Sequence, residues 1–214
     1  MAFFPNDYLA FGLSFFYVLL IVGAAKFLRG KGVSSNLLRE LTHMSMGVWP
    51  LLWFLFETKF VAFLVPLIVT IMLAVAPSSI RQVFSSGEEK HIGLVFYAFS
   101  FTVITWFFFM DFAGAAAIFS LAFADGLGGL IGSRFGKHKY KIPWVKEKSI
   151  EGSLTIFIIS SLAIIAAQLI FSTGVCLLIT LIGGIFVTII EAISPYHTDN
   201  LTIPLLLAPL LYIL

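Results

Sequence analysis

Charged residues are scarce in this chain. Only 11% of its 214 residues are Asp, Glu, Lys or Arg, against about a quarter in an ordinary soluble domain. A chain so poor in charge and 60% hydrophobic carries more apolar surface than one core of that length can bury, which excludes a water-soluble globule. The same composition excludes disorder. Cysteine is nearly missing as well. Cys176 stands alone, so an intrachain disulfide is impossible and a cysteine-based metal site is disfavoured. No Lys/Arg tract is interleaved with aromatics, so no nucleic-acid partner is expected. The longest polar stretch, residues 133–152, is too short to fold alone, and no repeat or low-complexity linker divides the chain. One domain, 1–214, is expected.

What is present is apolar. Mean hydropathy is +1.05 and 24 residues are Phe. Stretches long enough to cross a bilayer, roughly 20 residues, read at 8–28, 37–56, 60–76, 92–110, 112–131, 153–172, 174–191 and 202–214. The expected fold is therefore an all-α polytopic membrane helix bundle of eight transmembrane helices, or seven, several of them short or broken. Pro50 and Pro66 lie inside the second and third stretches, and Pro204 and Pro209 inside the short last one. With alternating sides, twelve of the thirteen basic residues fall on one face: Lys26, Arg29, Lys31 and Arg39, then Arg81 and Lys90, then Arg134, Lys137, Lys139, Lys141, Lys146 and Lys148. Lys59 is the exception. The positive-inside rule makes the basic face cytoplasmic and puts the N-terminus outside.

Carboxylates in or at the edge of a membrane are costly, about 2.5–3.5 kcal/mol at a helix centre on insertion scales, so each is a candidate functional group. Asp111, on the outer side, reads as a solvated loop residue. Asp125, Glu151 and Glu191 read on or near the cytoplasmic side, with Asp199 in the loop that follows. Asp125 opens the run Asp125-Gly126-Leu127-Gly128-Gly129-Leu130-Ile131-Gly132-Ser133-Arg134-Phe135-Gly136-Lys137. Gly128, Gly132 and Gly136 recur every four residues, a pattern that by itself suits helix packing. A carboxylate ahead of them and Arg134 and Lys137 at the exit add the parts of a metal-bound polyphosphate site. The run is not a Walker A loop, since only three residues separate Gly132 from Gly136 and His138 follows the Lys.

Three further groups map to the same face. Lys148-Ser149-Ile150-Glu151-Gly152-Ser153 opens the sixth stretch. It is either a simple N-cap with a favourable first-turn Glu, or an anion site in which Lys148 faces free helix N–H groups. Glu191 precedes His197-Thr198-Asp199-Asn200-Leu201-Thr202-Ile203-Pro204, in which Asp199 or Asn200 caps a helix or helps to hold Mg²⁺ without competing local cations. Arg39 and His43, four apart, share a helix face.

Taken in order, these blocks resemble the polyprenol kinase family: dolichol kinase, phytol and farnesol kinases, and CTP-dependent diacylglycerol kinases. The resemblance runs from about Arg39 to Pro204, and its last two blocks look most like the phytol/farnesol branch. Glu40 departs from the family, which often has Arg-Lys ahead of the His, and the chain looks like a minimal catalytic module beside the larger dolichol kinases. The resemblance implies transfer of the terminal phosphate of CTP, or another nucleoside triphosphate, to a long-chain isoprenoid alcohol in the bilayer, with Mg²⁺. On that reading Asp125, Glu151, Glu191 and Asp199 are the candidate metal ligands. Gly128, Gly132, Arg134, Gly136, Lys137, Lys148, Ser149, Gly152, Ser153 and Asn200 would bind nucleotide. Asp125, Lys148, Glu151 and His43 are the catalytic candidates, with the base left open among Asp125, Glu151 and His43. The membrane would be the cell membrane in a prokaryote, or the endoplasmic reticulum or plastid membrane in a eukaryote. The rival readings are a cytidylyltransferase making a CDP-lipid, whose usual Lys-Asp…Pro-Gly-His-Gly-Gly ending is absent, and a membrane transporter, for which no inverted repeat is visible.

Overall fold

The computed structural model describes residues 5–78, 80, 83, 88–145, 147–195 and 197–214. Arg81 and Lys146 of the basic-face assignment lie outside them, and so does the side chain of Lys90. The fold is helical throughout. Four helical stretches are long and apolar enough to cross a bilayer: Asn6–Gly30, His91–Phe108, Phe112–Phe135 and Ile150–Ile170. Three shorter apolar helices accompany them, Lys59–Ala74, Leu177–Ile193 and Asp199–Ile213. The protein is an integral-membrane helix bundle.

In chain order the elements are α1 (Pro5–Gly30), α2 (Ser35–Met46), α3 (Trp49–Leu52), α4 (Lys59–Ala74), α5 (Glu88–Phe108), α6 (Phe112–Phe119), a wide π turn (Ser120–Asp125), α7 (Gly126–Phe135), β1 (Lys139–Tyr140), β2 (Lys148–Ser149), α8 (Ile150–Ile170), α9 (Leu177–Ile193) and α10 (Asp199–Ile213). The second expected span is corrected. Residues 37–56 do not form one membrane-crossing helix: α2 stops at Met46, and α3 and a single 3-10 turn (Trp53–Leu55) follow. Gly47 starts the break and Pro50 cannot donate to the helical ladder. α2 itself carries Arg39, Glu40 and His43 within twelve residues. The loop ahead of α8 adds only a minimal antiparallel ribbon that pairs Lys139 with Ser149 and Tyr140 with Lys148, and the all-α expectation holds.

The centre of the bundle is the rod made by α6, the π turn and α7. Ala113 and Ala115–Ile118 are fully buried there. Small side chains let α5, α8 and α10 close directly on α6, as helices without a water-driven force between them require. Asp111 is not a free loop residue: it caps α6, its Oδ1 accepting from the Ala113 N–H at 2.8 Å. α1 lies at the periphery, with only 17% of its apolar window buried, the exposure expected of a lipid-facing helix.

Candidate active site

The end of the bundle away from Asp111 collects the chemistry. The π turn ends on Asp125, and such turns re-aim the residues that follow them. The β ribbon delivers Lys148. Ser149 caps α8, its Oγ accepting from the Gly152 N–H at 3.1 Å. Glu191 sits near the C-terminus of α9, and Asp199 and Asn200 open α10. α2 brings Arg39, Glu40 and His43. All of these line one cavity of about 390 Å³.

Oxygen atoms of Asp125, Glu191 and Asp199 lie within 4.8 Å of one another. The Lys148 ammonium donates to Glu191 Oε1 and, at 3.1 Å, to the Glu191 carbonyl. Burial pushes the Lys148 ammonium towards neutrality, but the charge and hydrogen bond of Glu191, reinforced by Asp199 and Asp125, hold its pKa above the ordinary 10.5. Arg39 pairs with Glu40 at 2.5 Å. Asn200 donates from Nδ2 to the Gly93 carbonyl at 3.0 Å. Among the described residues, two buried acceptors in the cavity have no partner, Glu191 Oε2 and Asn200 Oδ1. Leaving such atoms unpaired costs about 1–3 kcal/mol each, which a bound cation or ligand donor would recover. An all-oxygen set of three clustered carboxylates, one with a free buried oxygen, fits a hard divalent ion such as Mg²⁺.

His43 is buried, and its ring stacks on Tyr97 with centroids 4.1 Å apart and planes 16° from parallel. Tyr97 donates from its hydroxyl to the His43 carbonyl at 2.7 Å, and neither ring nitrogen of His43 has a hydrogen-bond partner among the described residues.

The cavity gathers most of the residues expected from sequence: His43, Asp125, Gly128, Gly132, Lys148, Ser149, Gly152, Ser153, Glu191, Asp199 and Asn200 all line it. Four others do not. Glu151 turns away and binds the preceding loop, its Oε1 taking His138 Nδ1 at 2.8 Å and the His138 N–H at 3.2 Å. Arg134 is exposed beside the Phe135 ring, and Lys137 is exposed. Gly136 packs instead: a Cβ there would stand 2.3 Å from the Gly132 carbonyl and 2.5 Å from Ser149 Oγ. The glycine stripe is chiefly the α7–α8 seam, since a Cβ on Gly128 would meet Ile156 Cγ1 at 2.3 Å and one on Gly152 would meet Gly132 Cα at 3.1 Å. Packing explains those spacings directly.

The cavity also contains residues that the sequence reading left out of the site. Lys139, Glu147, Gly93, Gly129, His197 and Arg39 with Glu40 all line it. Lys139 was one of six cations in the basic loop, and only the ribbon register distinguishes it from Arg134 and Lys137.

Comparison with known proteins follows the same line. The chain is 27% identical over 212 residues to a phytol kinase of Synechocystis sp., covering 92% of this chain and 88% of the other. It is 26% identical to the chloroplastic farnesol kinase of Arabidopsis thaliana, covering 94% and 73%. Its curated relatives are phytol and farnesol kinases. The resemblance to the polyprenol kinase family is thereby borne out. A probable phytol kinase 3 of Glycine max matches at 28% over 80% of the chain. No family model matches the chain, and no solved structure does.

Proposed function

We propose that this protein is a lipid-alcohol kinase that moves the terminal phosphate of a nucleoside triphosphate, CTP by analogy with the family, to the hydroxyl of a membrane isoprenoid alcohol. The observation that carries the reading is the junction of Asp125, Glu191 and Asp199 with Lys148 in one cavity. Phosphoryl transfer asks a protein mainly for positioning and for neutralisation of phosphate charge. Asp125, Glu191 and Asp199 would hold Mg²⁺, which when bound supplies positive charge against the phosphate oxygens. Lys148, Arg39 and Lys139 are the described cations of the cavity wall and would hold the triphosphate. The alcohol oxygen attacks the terminal phosphorus, the nucleoside diphosphate leaves, and the hydroxyl proton passes to Asp125 or His43, the two base candidates from the sequence that line the cavity.

The names of the relatives support an alcohol acceptor, and the apolar bundle supports one that enters from the bilayer. The distribution of basic residues supports a cytoplasmic location for the cavity and an external N-terminus. The test is a panel of phytol, farnesol, geranylgeraniol, dolichol and diacylglycerol crossed with four nucleoside triphosphates, using purified protein and Mg²⁺. A lipid monophosphate with a nucleoside diphosphate is expected. A CDP-lipid with pyrophosphate would instead establish the cytidylyltransferase reading.

A further inference from the structure

A second cavity lies beside the first. It is apolar, about 90 Å³, and bounded by α1, α2, α3, α4 and α5. Hydrocarbon and aromatic side chains make nearly all of its wall, among them Val65, Val69, Leu94, Ala98 and Phe101. His43 lines both cavities and so stands between the apolar chamber and the carboxylate cavity. That ring is buried, and both its nitrogens lack hydrogen-bond partners among the described residues. Val18 and Val22 of α1 and Val69 and Leu73 of α4 also line the chamber and are only half-buried. The chamber therefore reaches the lipid-facing side of the bundle between α1 and α4, next to the most peripheral helix.

We infer that this chamber is the acceptor's tail site: it takes the hydroxyl-proximal part of a branched hydrocarbon chain and delivers its hydroxyl past His43 to the carboxylate cavity. The inference rests on the lipid-alcohol kinase reading and deepens it. The shape of the ligand follows from the chemistry of the wall. One end is charged and oxygen-rich, the other is hydrocarbon, and the join carries a buried imidazole able to give or take one hydrogen bond. An amphiphile with a small uncharged head and an apolar tail satisfies all three. A phospholipid does not, because its bulky headgroup would have to pass the His43 junction. The free space accommodates roughly six to nine water-sized volumes, about two isoprene units, so the rest of a longer tail would leave between α1 and α4 into lipid. Selectivity would then act on branching and saturation near the hydroxyl rather than on total chain length.

Two variants fill the chamber without touching the carboxylate cavity: Ala98→Leu in its depth and Val69→Trp at its mouth. Both should raise KM for farnesol and geranylgeraniol about tenfold. KM for the nucleotide should stay within twofold. A farnesol analogue with a diazirine on its first isoprene unit should label wild-type protein within Val65–Leu73 or Leu94–Phe101, and free farnesol should compete. Unchanged KM for every alcohol in both folded variants overturns the chamber while leaving the kinase reading intact. Labelling confined to other segments, or competed by phospholipid and not by farnesol, does the same. Wild-type protein that phosphorylates no alcohol overturns the kinase reading and this inference together.

Discussion

At the residue scale, the fold divides side chains that sequence alone could not separate. Asp125 and Glu151 both stand near a basic loop in an apolar chain, yet only Asp125 lines the cavity. Asp125→Asn is therefore expected to lower phosphate transfer by at least a hundredfold, as is Lys148→Ala, while both proteins keep their helix content in detergent. Glu151→Gln is expected to keep the nucleotide KM within about twofold of wild type, because its partner is His138 outside the cavity. Steady-state kinetics on the three variants checks this, and equal losses in all three would contradict the assignment. Lys148 also makes a pH prediction. Its folded pKa is raised above 10.5, so its ion pair with Glu191 contributes fully below 10.5 and is lost as pH rises through the higher folded value. Wild type should lose thermal stability above that point more steeply than Lys148→Met, and parallel profiles would refute the pairing. Asp125, Lys148, Glu191, Asp199 and His43 were legible because ionisable groups in so apolar a chain are costly and few. Glu151 parts from them because successive residues at a helix start point about 100° apart. Ser149 and Gly152 face the cavity while Glu151, between them, faces the loop.

At the scale of elements, glycine spacing was visible in the sequence but its use was not. Gly128 and Gly129 are neighbours with opposite demands. A methyl group on Gly128 would overlap Ile156, whereas one on Gly129 meets nothing within 4 Å. Gly128→Ala should cost about 1–3 kcal/mol through overpacking of α7 against α8. Gly129→Ala should be neutral or stabilising by up to about 1 kcal/mol through helix propensity. Thermal unfolding in detergent separates them, and equal melting temperatures would remove the α7–α8 seam from the account. The break after α2 was less legible. Residues 37–56 are apolar enough to suggest a span, and only the contacts of α2 with α7 and the π turn show that its polar face is needed beside Asp125. The π turn had no sequence signature.

At the scale of the whole molecule, alternation of helices puts the site and Cys176 at opposite ends. α8 leaves the cavity at Ile150 and α9 returns to it at Glu191, with exposed Cys176 just ahead of α9. A 21-residue helix spans about 30 Å at 1.5 Å per residue, the thickness of a bilayer core. An impermeant maleimide should therefore reach Cys176 from the external face, and a cysteine placed by Lys139→Cys in a Cys176→Ser background from the cytoplasmic face. Labelling of both from one side would contradict the bundle's orientation. The gathering of distant motifs at one end was legible from charge distribution, since the residues that meet in the cavity all come from segments assigned to one face. The register that admits Lys139 and turns out Lys137 depends on the two-residue ribbon, which is too short to leave a pattern in the sequence.

The most direct measurement is transfer of labelled phosphate from γ-labelled CTP to geranylgeraniol by the purified protein and by Asp125→Asn. The account predicts a labelled lipid monophosphate with wild type and none above background with the variant. No labelled lipid with wild type, or equal amounts with both, would contradict it.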